Sequence, residues 1–250
     1  MPRILLIETA SEVCSTAIVV DGLVVAHEEA LHASSHAALL TLQIEACSKS
    51  AGLPLASLDA VALSSGPGAY TSLRVGASVA KGICYALDKP LIAVDTLMAL
   101  AWGARNWYQQ TALDSMPVVY APALDARRQE IWTALYSHDL QLLTPTQPLI
   151  LEDNLFEKFI FSNEFPNQAI RAVIAGNGVE KIKNGLFAEE TVLFSPVRCS
   201  AIHLANLAEL LFQSNDFQDV AYFEPFYMKP PNITIPNHTI PDIKNINITI

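Results

Sequence analysis

The chain has 250 residues, of which 51% are hydrophobic and 16% are charged, and its formal net charge is −10. This core-rich composition excludes an intrinsically disordered chain, and no apolar run reaches the roughly 18 residues that a transmembrane helix requires. Because an acidic protein repels phosphate backbones, we expect any nucleic-acid role to run through a partner.

The N-terminal apolar run is short and stops at Glu8, so we expect neither a secretory signal nor a membrane protein. The four cysteines are far apart and form no Cys-x-x-Cys pair, which argues against a disulfide framework and a zinc knuckle. Both observations favour a reducing cytoplasm. The high apolar content then favours a large apolar interface with another protein.

The first half of the chain predicts a three-stranded meander followed by alternating helices and strands. Strands are predicted at 4–8, 15–20, 23–29, 60–64 and 91–94, and helices at 35–51, 72–87 and 96–108. This order is typical of one lobe of an α/β, two-lobe actin-like fold of the ASKHA and ribonuclease-H-like class. We therefore predict a first lobe over residues 1–112.

A second, smaller lobe is predicted over residues 113–199. It contains a hairpin with strands at 118–125 and 130–136, a region at 140–170 interpreted as loop with one short helix, and a buried strand at 172–175. A helix at 201–212 is expected to return to the first lobe within residues 200–228. Residues 230–250 are rich in Pro, Asn and Ile, and we predict a flexible C-terminal tail.

The helix at 35–51 carries more apolar residues than one narrow stripe needs. Such a helix is covered on two sides, by its own sheet and by something else. The helix at 72–87 contains the small residues Gly76 and Gly82. Small residues let another backbone approach closely, either within the domain or from a partner, at a cost of roughly 1 kcal/mol per glycine in helix stability.

A glycine-rich turn with Gly66 and Gly68 lies between a predicted strand and the helix at 72–87. Backbone N–H groups at a helix N-terminus form an anion site in principle, but the turn lacks the Lys-Ser/Thr end of a Walker A loop. The alternative is a tight turn capped by Thr71 or Ser72.

Glu8 and Asp125 end two predicted strands and are the candidate carboxylates of a magnesium–nucleotide site. Actin-like ATPases place an aspartate at the first position, and magnesium tolerates little change in geometry, so Glu8 is alternatively a carboxylate that accepts backbone N–H bonds. At the second position Ala126 and Arg127 replace the expected glycine turn, and we expect Arg127 to pair with Asp125 or Glu130.

The turn from Gly176 to Gly178 resembles an adenosine-binding loop or an ordinary strand-to-helix turn.

His32 and His36 are four residues apart, a spacing that suits one metal on a helix. No carboxylate lies between them and no third ligand is evident. A serine cap at 34 or 35 would also place His32 before the helix. We therefore predict no metal site here.

Seven segments, in order along the chain, resemble the TsaB (YeaZ) family of the tRNA threonylcarbamoyladenosine machinery. They are 4–10 (ILLIETA), 35–40 (SHAALL), 66–76 (GPGAYTSLRVG), 80–82 (AKG), 90–101 (PLIAVDTLMALA), 125–131 (DARRQEI) and 224–229 (EPFYMK). His36 matches the family histidine. The chain departs from the pattern at Glu8, where the family has Asp, and at Ser72, where it has Gly.

The resemblance implies a subunit with no catalytic residues and no cofactor that pairs with the threonylcarbamoyltransferase TsaD. TsaE is expected to join the complex, tRNA to be contacted only indirectly, and self-association to use the same helical face. The implied partner-binding residues are His36, Leu39, Leu40, Val75, Gly76, Val79, Gly82 and Ile83. A vestigial nucleotide site would comprise Glu8, Gly66, Gly68, Asp125, Gly176 and Gly178.

Two other functions are open at this point. A stand-alone ATPase or kinase of the same fold would hold magnesium-ATP with Glu8 and Asp125. A metallopeptidase-like enzyme would use His32 and His36.

Overall fold

In the computed structural model, residues 2–31, 35–111, 116–152, 155–161, 170–183 and 191–227 are described. The first part of the chain forms strands β1 (Arg3–Glu8), β2 (Cys14–Val20), β3 (Leu23–Ala30), β4 (Ala60–Ser64) and β5 (Leu91–Val94), with helices α1 (His36–Ala51), α2 (Tyr70–Leu87) and α3 (Thr96–Thr111). The remainder forms strands β6 (Val118–Asp125), β7 (Glu130–Tyr136), β8 (Leu142–Ile150), β9 (Arg171–Ala175) and β10 (Val192–Phe194), with helices α4 (Leu155–Phe161), α5 (Val179–Ile182) and α6 (Ala205–Gln213).

The two five-stranded sheets share one topology. The first has the order β3-β2-β1-β4-β5 and the second the order β8-β7-β6-β9-β10. In each, the first strand of the lobe is central, antiparallel to the hairpin strand on one side and parallel to its neighbour on the other. This is the two-lobe actin-like arrangement predicted from the element order.

Strand β1 is the centre of the first lobe because both of its faces are covered. Leu5 and Ile7 pack in the cluster that contains residues of α1 and α2. Ile4 and Leu6 pack on the opposite face with residues of a 3-10 turn and α6, including Leu204. The chain after residue 200 therefore completes the first sheet's core.

Helix α3 joins the lobes. Its Leu97 and Leu100 pack in the second lobe's cluster with Tyr120, whereas its Ala99 packs with Ile4 of the first lobe. A single helix thus has one face against each sheet. Among the described helices, none is both long enough and apolar enough to cross a bilayer.

Strand β8 corrects the prediction of loop over residues 140–170. Pro145 and Pro148 argued against a strand, but β8 is the edge of its sheet and, among the described strands, pairs only with β7. Proline cannot donate to the ladder, and an edge strand does not need that donor on its free side. The predicted short helix is present as α4, and β10 is a second strand that the sequence did not predict. The predicted tail at 230–250 lies outside the described residues.

Helix α2 begins at Tyr70, two residues before the prediction, and no side chain caps it. The predicted caps Thr71 and Ser72 lie inside its first turn, so that prediction is wrong. In contrast, the Ser35 side chain accepts a hydrogen bond from the Ala38 N–H at 3.3 Å and caps α1, as predicted.

Candidate functional site

A cleft of about 610 Å³ lies between the lobes at the ends of β1 and β6. It brings Gly68, Asp125 and His36, which are distant in sequence, to one place. Across it, the Asn177 amide donates to Glu12 Oε2 at 2.6 Å, and Asn177 Oδ1 accepts from the Asp125 N–H at 2.9 Å. No sequence pattern indicated Glu12, whose contribution is this bond between the lobes.

Glu8 does not line the cleft. Its carboxylate is buried and accepts hydrogen bonds from the Ala10 N–H at 2.6 Å and the Ser64 hydroxyl at 2.9 Å. Burial raises the pKa of Glu8 to about 7, against the opposing effect of these bonds. Glu8 therefore accepts hydrogen bonds from groups near the end of its own strand, which is the alternative interpretation given above. A buried side chain engaged in this way does not fit the role of a magnesium ligand.

We expect Glu8→Gln to flatten the pH dependence of stability between pH 4.5 and about 7. Glu8 retains its proton in the folded chain until about pH 7, whereas the unfolded chain loses it near 4.5. The unfolded state therefore binds fewer protons in this window, and wild-type stability falls as pH rises through it, by up to about 3 kcal/mol. Urea unfolding at several pH values measures the slope. The exposed Glu152→Gln is the control, and a variant slope equal to wild type would contradict the assignment.

The glycine-rich turn is filled by the chain itself. A Cβ at Gly66, whose φ is +107°, would lie 2.8 Å from the Phe226 carbonyl oxygen, and one at Gly68 would lie 2.5 Å from that of Ala10. The Gly66 N–H donates to Thr96 Oγ1 at 3.0 Å, and the Ala69 N–H donates to the Ala10 carbonyl at 2.7 Å. These glycines permit close packing within the lobe, and the turn does not fit a phosphate cradle.

The second-lobe residues are also engaged locally. Asp125 forms an ion pair with Lys181 at 2.7 Å and accepts the Arg127 backbone N–H at 2.6 Å. Arg127 thus contacts Asp125 locally through its backbone N–H, whereas the cation paired with Asp125 is Lys181, which the sequence did not indicate. Gly176 and Gly178 both lie against the backbone of Ala123, so that turn is an ordinary strand-to-helix connection.

His36 is buried, and its Nε2 donates to the Val13 carbonyl at 3.2 Å. It therefore anchors α1 to the loop between β1 and β2. His32, the other half of the histidine pair, lies outside the described residues. Within the described ranges no three His, Cys, Asp or Glu side chains converge as a set of metal ligands.

A groove of about 460 Å³ runs along the outer side of α2, beside the start of α1. Its lining comprises Ala37, Tyr70, Thr71, Arg74, Val75, Ser78 and Val79. Val75 and Val79 were predicted to bind a partner; they are half-buried and pack against the first lobe's core from its edge. Tyr70 and Arg74 were missed, although their i, i+4 spacing on a helix places them on one face.

The other predicted partner-binding residues separate into two groups. Leu39 and Ile83 are half-buried at the edge of the core, and Gly82 is exposed with open space around it. Leu40 is 0% exposed inside that core, so the prediction that it faces a partner is wrong. The prediction is also wrong for Gly76, which is buried against Thr9 of the chain's own first lobe.

A segment that we call the C-terminal strap, residues 219–227, crosses α2 and the glycine-rich turn. Phe223 is buried in the first lobe's core, and Lys81 Nζ donates to the Phe223 carbonyl at 3.0 Å. The Phe226 N–H donates to the Ser65 carbonyl at 2.7 Å. The strap ends at Tyr227, whose ring lies 4.8 Å from that of Tyr70 at the end of the groove.

Comparison with known proteins identifies relatives of this chain in sequence and in structure. The family model described as TsaD, tRNA N6-adenosine threonylcarbamoyltransferase, matches residues 28–236. The tRNA threonylcarbamoyladenosine biosynthesis protein TsaB of Escherichia coli is 36% identical over 137 residues, which are 55% of this chain and 56% of that protein. TsaB of Bacillus subtilis is 33% identical over 99 residues, 38% of this chain and 39% of that protein.

The chain thus spans about half the length of the curated relatives it matches. Among solved structures, YeaZ from Pseudomonas aeruginosa superposes with a TM-score of 0.74 at 24% identity, covering 91% of this chain and all of that one. At this identity the likeness bears on the fold, which it confirms as the two-lobe actin-like one.

Proposed function

The chain belongs to the TsaD family of tRNA N6-adenosine threonylcarbamoyltransferases, and from this premise we propose that it is a member without catalytic residues of its own. Like the TsaB proteins it resembles, it would serve tRNA threonylcarbamoyladenosine formation by binding and activating a catalytic TsaD subunit. The contact with tRNA would then be made through the complex.

The observation that carries this proposal is the contrast between two surfaces. The residues that would hold magnesium and nucleotide in an active relative are occupied by the chain's own contacts: Glu8 by Ala10 and Ser64, and the glycine-rich turn by Ala10 and Phe226. The groove beside α2 is open instead, with an apolar floor at Val75 and Val79. A protein with this distribution binds a partner more readily than a nucleotide.

We assign the docking of TsaD to this face of α1 and α2, with Leu39, Val75, Val79, Gly82 and Ile83 as contacts. Self-association would use the same face and compete with TsaD, and TsaE would join the assembled pair. The four free, buried cysteines fit a reducing cytoplasm, where we place the assembly.

Reconstitution tests the proposal. Threonylcarbamoyladenosine formation on tRNA is measured with TsaD and the other components of the reaction, with and without this chain. We expect product only when both TsaD and the chain are present, because the activating contact requires both surfaces. Equal product without the chain would contradict the proposal, as would product formed by the chain without TsaD.

A further inference from the structure

Arg74 is the one charged residue among those lining the groove. Its surroundings are otherwise the side chains of alanine, valine, serine, threonine and tyrosine, whereas the chain as a whole carries a net charge of −10. The groove is therefore a local positive site on an acidic protein. Opposite charge across an interface favours the correct partner and disfavours others.

The guanidinium of Arg74 is held in place before any partner arrives. Its central carbon lies 5.1 Å from the centre of the Tyr70 ring, within the range of a cation–π interaction. Tyr227 packs on the same Tyr70 ring at 4.8 Å, and Arg74 lies close enough for its charge to oppose the rise that burial causes in the pKa of the Tyr227 hydroxyl. An arginine resting on a tyrosine ring loses less side-chain entropy on binding than a free one.

The strap fixes Tyr227 in turn. Phe223 is buried in the core, Lys81 binds the Phe223 carbonyl, and the Phe226 N–H binds Ser65. These three attachments end directly before Tyr227. The strap thus holds Tyr227 against Tyr70, and Tyr70 in turn supports Arg74.

No described carboxylate lies within ion-pair distance of Arg74. The side of α2 that continues from it is apolar or small: half-buried Val75 and Val79, exposed Ser78, and Gly82 with open space beside it. Small residues at this spacing let a second helix approach closely. The surface thus offers one fixed cation next to a shallow apolar strip.

We propose that Arg74, positioned by Tyr70 and Tyr227, binds a carboxylate of the partner, and that the groove receives a helix carrying Asp or Glu beside apolar residues. This inference rests on the function proposed above and specifies the chemistry of its partner. A second copy of the chain fits less well, because both copies carry −10 and a two-fold contact would bring two Arg74 side chains to one interface.

Titration of wild type and variants against TsaD tests this. We expect Arg74→Ala to weaken the Kd by about 30-fold, equivalent to about 2 kcal/mol, and Arg74→Lys by less, because the charge remains and the planar guanidinium is lost. Tyr227→Phe removes the hydroxyl beside Arg74 and should weaken binding a few-fold. Lys49→Ala, which removes a cation from the end of α1, is the matched control and should leave the Kd unchanged.

The salt dependence of the Kd distinguishes an ion pair between Arg74 and the partner from a merely structural role of Arg74. The wild-type Kd should rise with salt concentration, and the rise should be smaller for Arg74→Ala. If Arg74→Ala binds as tightly as wild type with the same salt dependence, the inference is overturned while the proposed function stands. If wild type itself does not bind TsaD, the proposed function fails. Arg74-dependent binding only between copies of this chain would overturn the inference as well.

Discussion

Val79→Glu is expected to abolish co-purification of the chain with TsaD while leaving the isolated chain folded. Val79 lines the groove and is half-buried, so a glutamate there reaches solvent in the free chain. Once a partner covers the groove, the carboxylate is buried, and by the inference above Arg74 is already paired with a carboxylate of the partner. A buried carboxylate without a cation of its own costs several kcal/mol, so affinity should weaken by at least about 100-fold. Pull-down with tagged TsaD measures the loss, and circular dichroism confirms folding.

The matched control is Leu210→Glu, which places the same charge at a 57% exposed leucine of α6, outside the groove. It should co-purify as wild type does. Ser78→Arg blocks the groove from an exposed position and provides a second variant if Val79→Glu unfolds. Retained pairing in both groove variants would show that the docking face lies elsewhere.

Gly76→Ala and Gly82→Ala should change stability in opposite directions, although both glycines lie in α2. Each gains about 0.5–1 kcal/mol of helix propensity. A Cβ at Gly82 meets nothing within 4 Å, so that gain remains. A Cβ at Gly76 overlaps Thr9 Oγ1, and Thr9 is buried and β-branched, so it has little room to move. We expect Gly76→Ala to destabilise the chain by about 2–3 kcal/mol.

Urea unfolding of the two variants, side by side, measures the difference directly. Helix propensity contributes equally at both positions. A difference of about 3 kcal/mol between the two free energies of unfolding therefore reports the clash with Thr9. Equal free energies of unfolding would mean that α2 moves away from β1 at little cost. The pair also tests the interpretation that one glycine packs inside the lobe and the other faces outward.

Much of the fold was predictable because its strands are buried and its turns carry strong signals. Strands β4 to β7 have the predicted bounds, and Gly52 ends α1 as predicted, with a φ of +64°. The first sheet's edge strands β3 and β5 were predicted, whereas the second sheet's edge strands β8 and β10 were not. Pro145 and Pro148 outweighed the strand signal in β8, and β10 has only three residues.

The site was less predictable because helical periodicity identifies apolar faces but not what covers them. Leu39 and Leu40 are neighbours in one apolar helix, and only tertiary packing decides that Leu40 is enclosed while Leu39 lies at the edge. Gly76 and Gly82 look alike for the same reason. The role of Tyr227 depends on a contact between residues 157 positions apart, Tyr70 and Tyr227, which no local pattern encodes.

The return of the chain to its first lobe has a consequence for biosynthesis. One face of β1 is covered by residues of the turn and helix that follow Ser200, and the glycine-rich turn is covered by Phe226. A ribosome adds about 5–20 residues per second, so the first lobe waits on the order of ten seconds, with Ile4 and Leu6 uncovered, until its closing segment is synthesised. Until translation has passed Tyr227, a nascent chain therefore also lacks the ring contact between Tyr227 and Tyr70 beside Arg74.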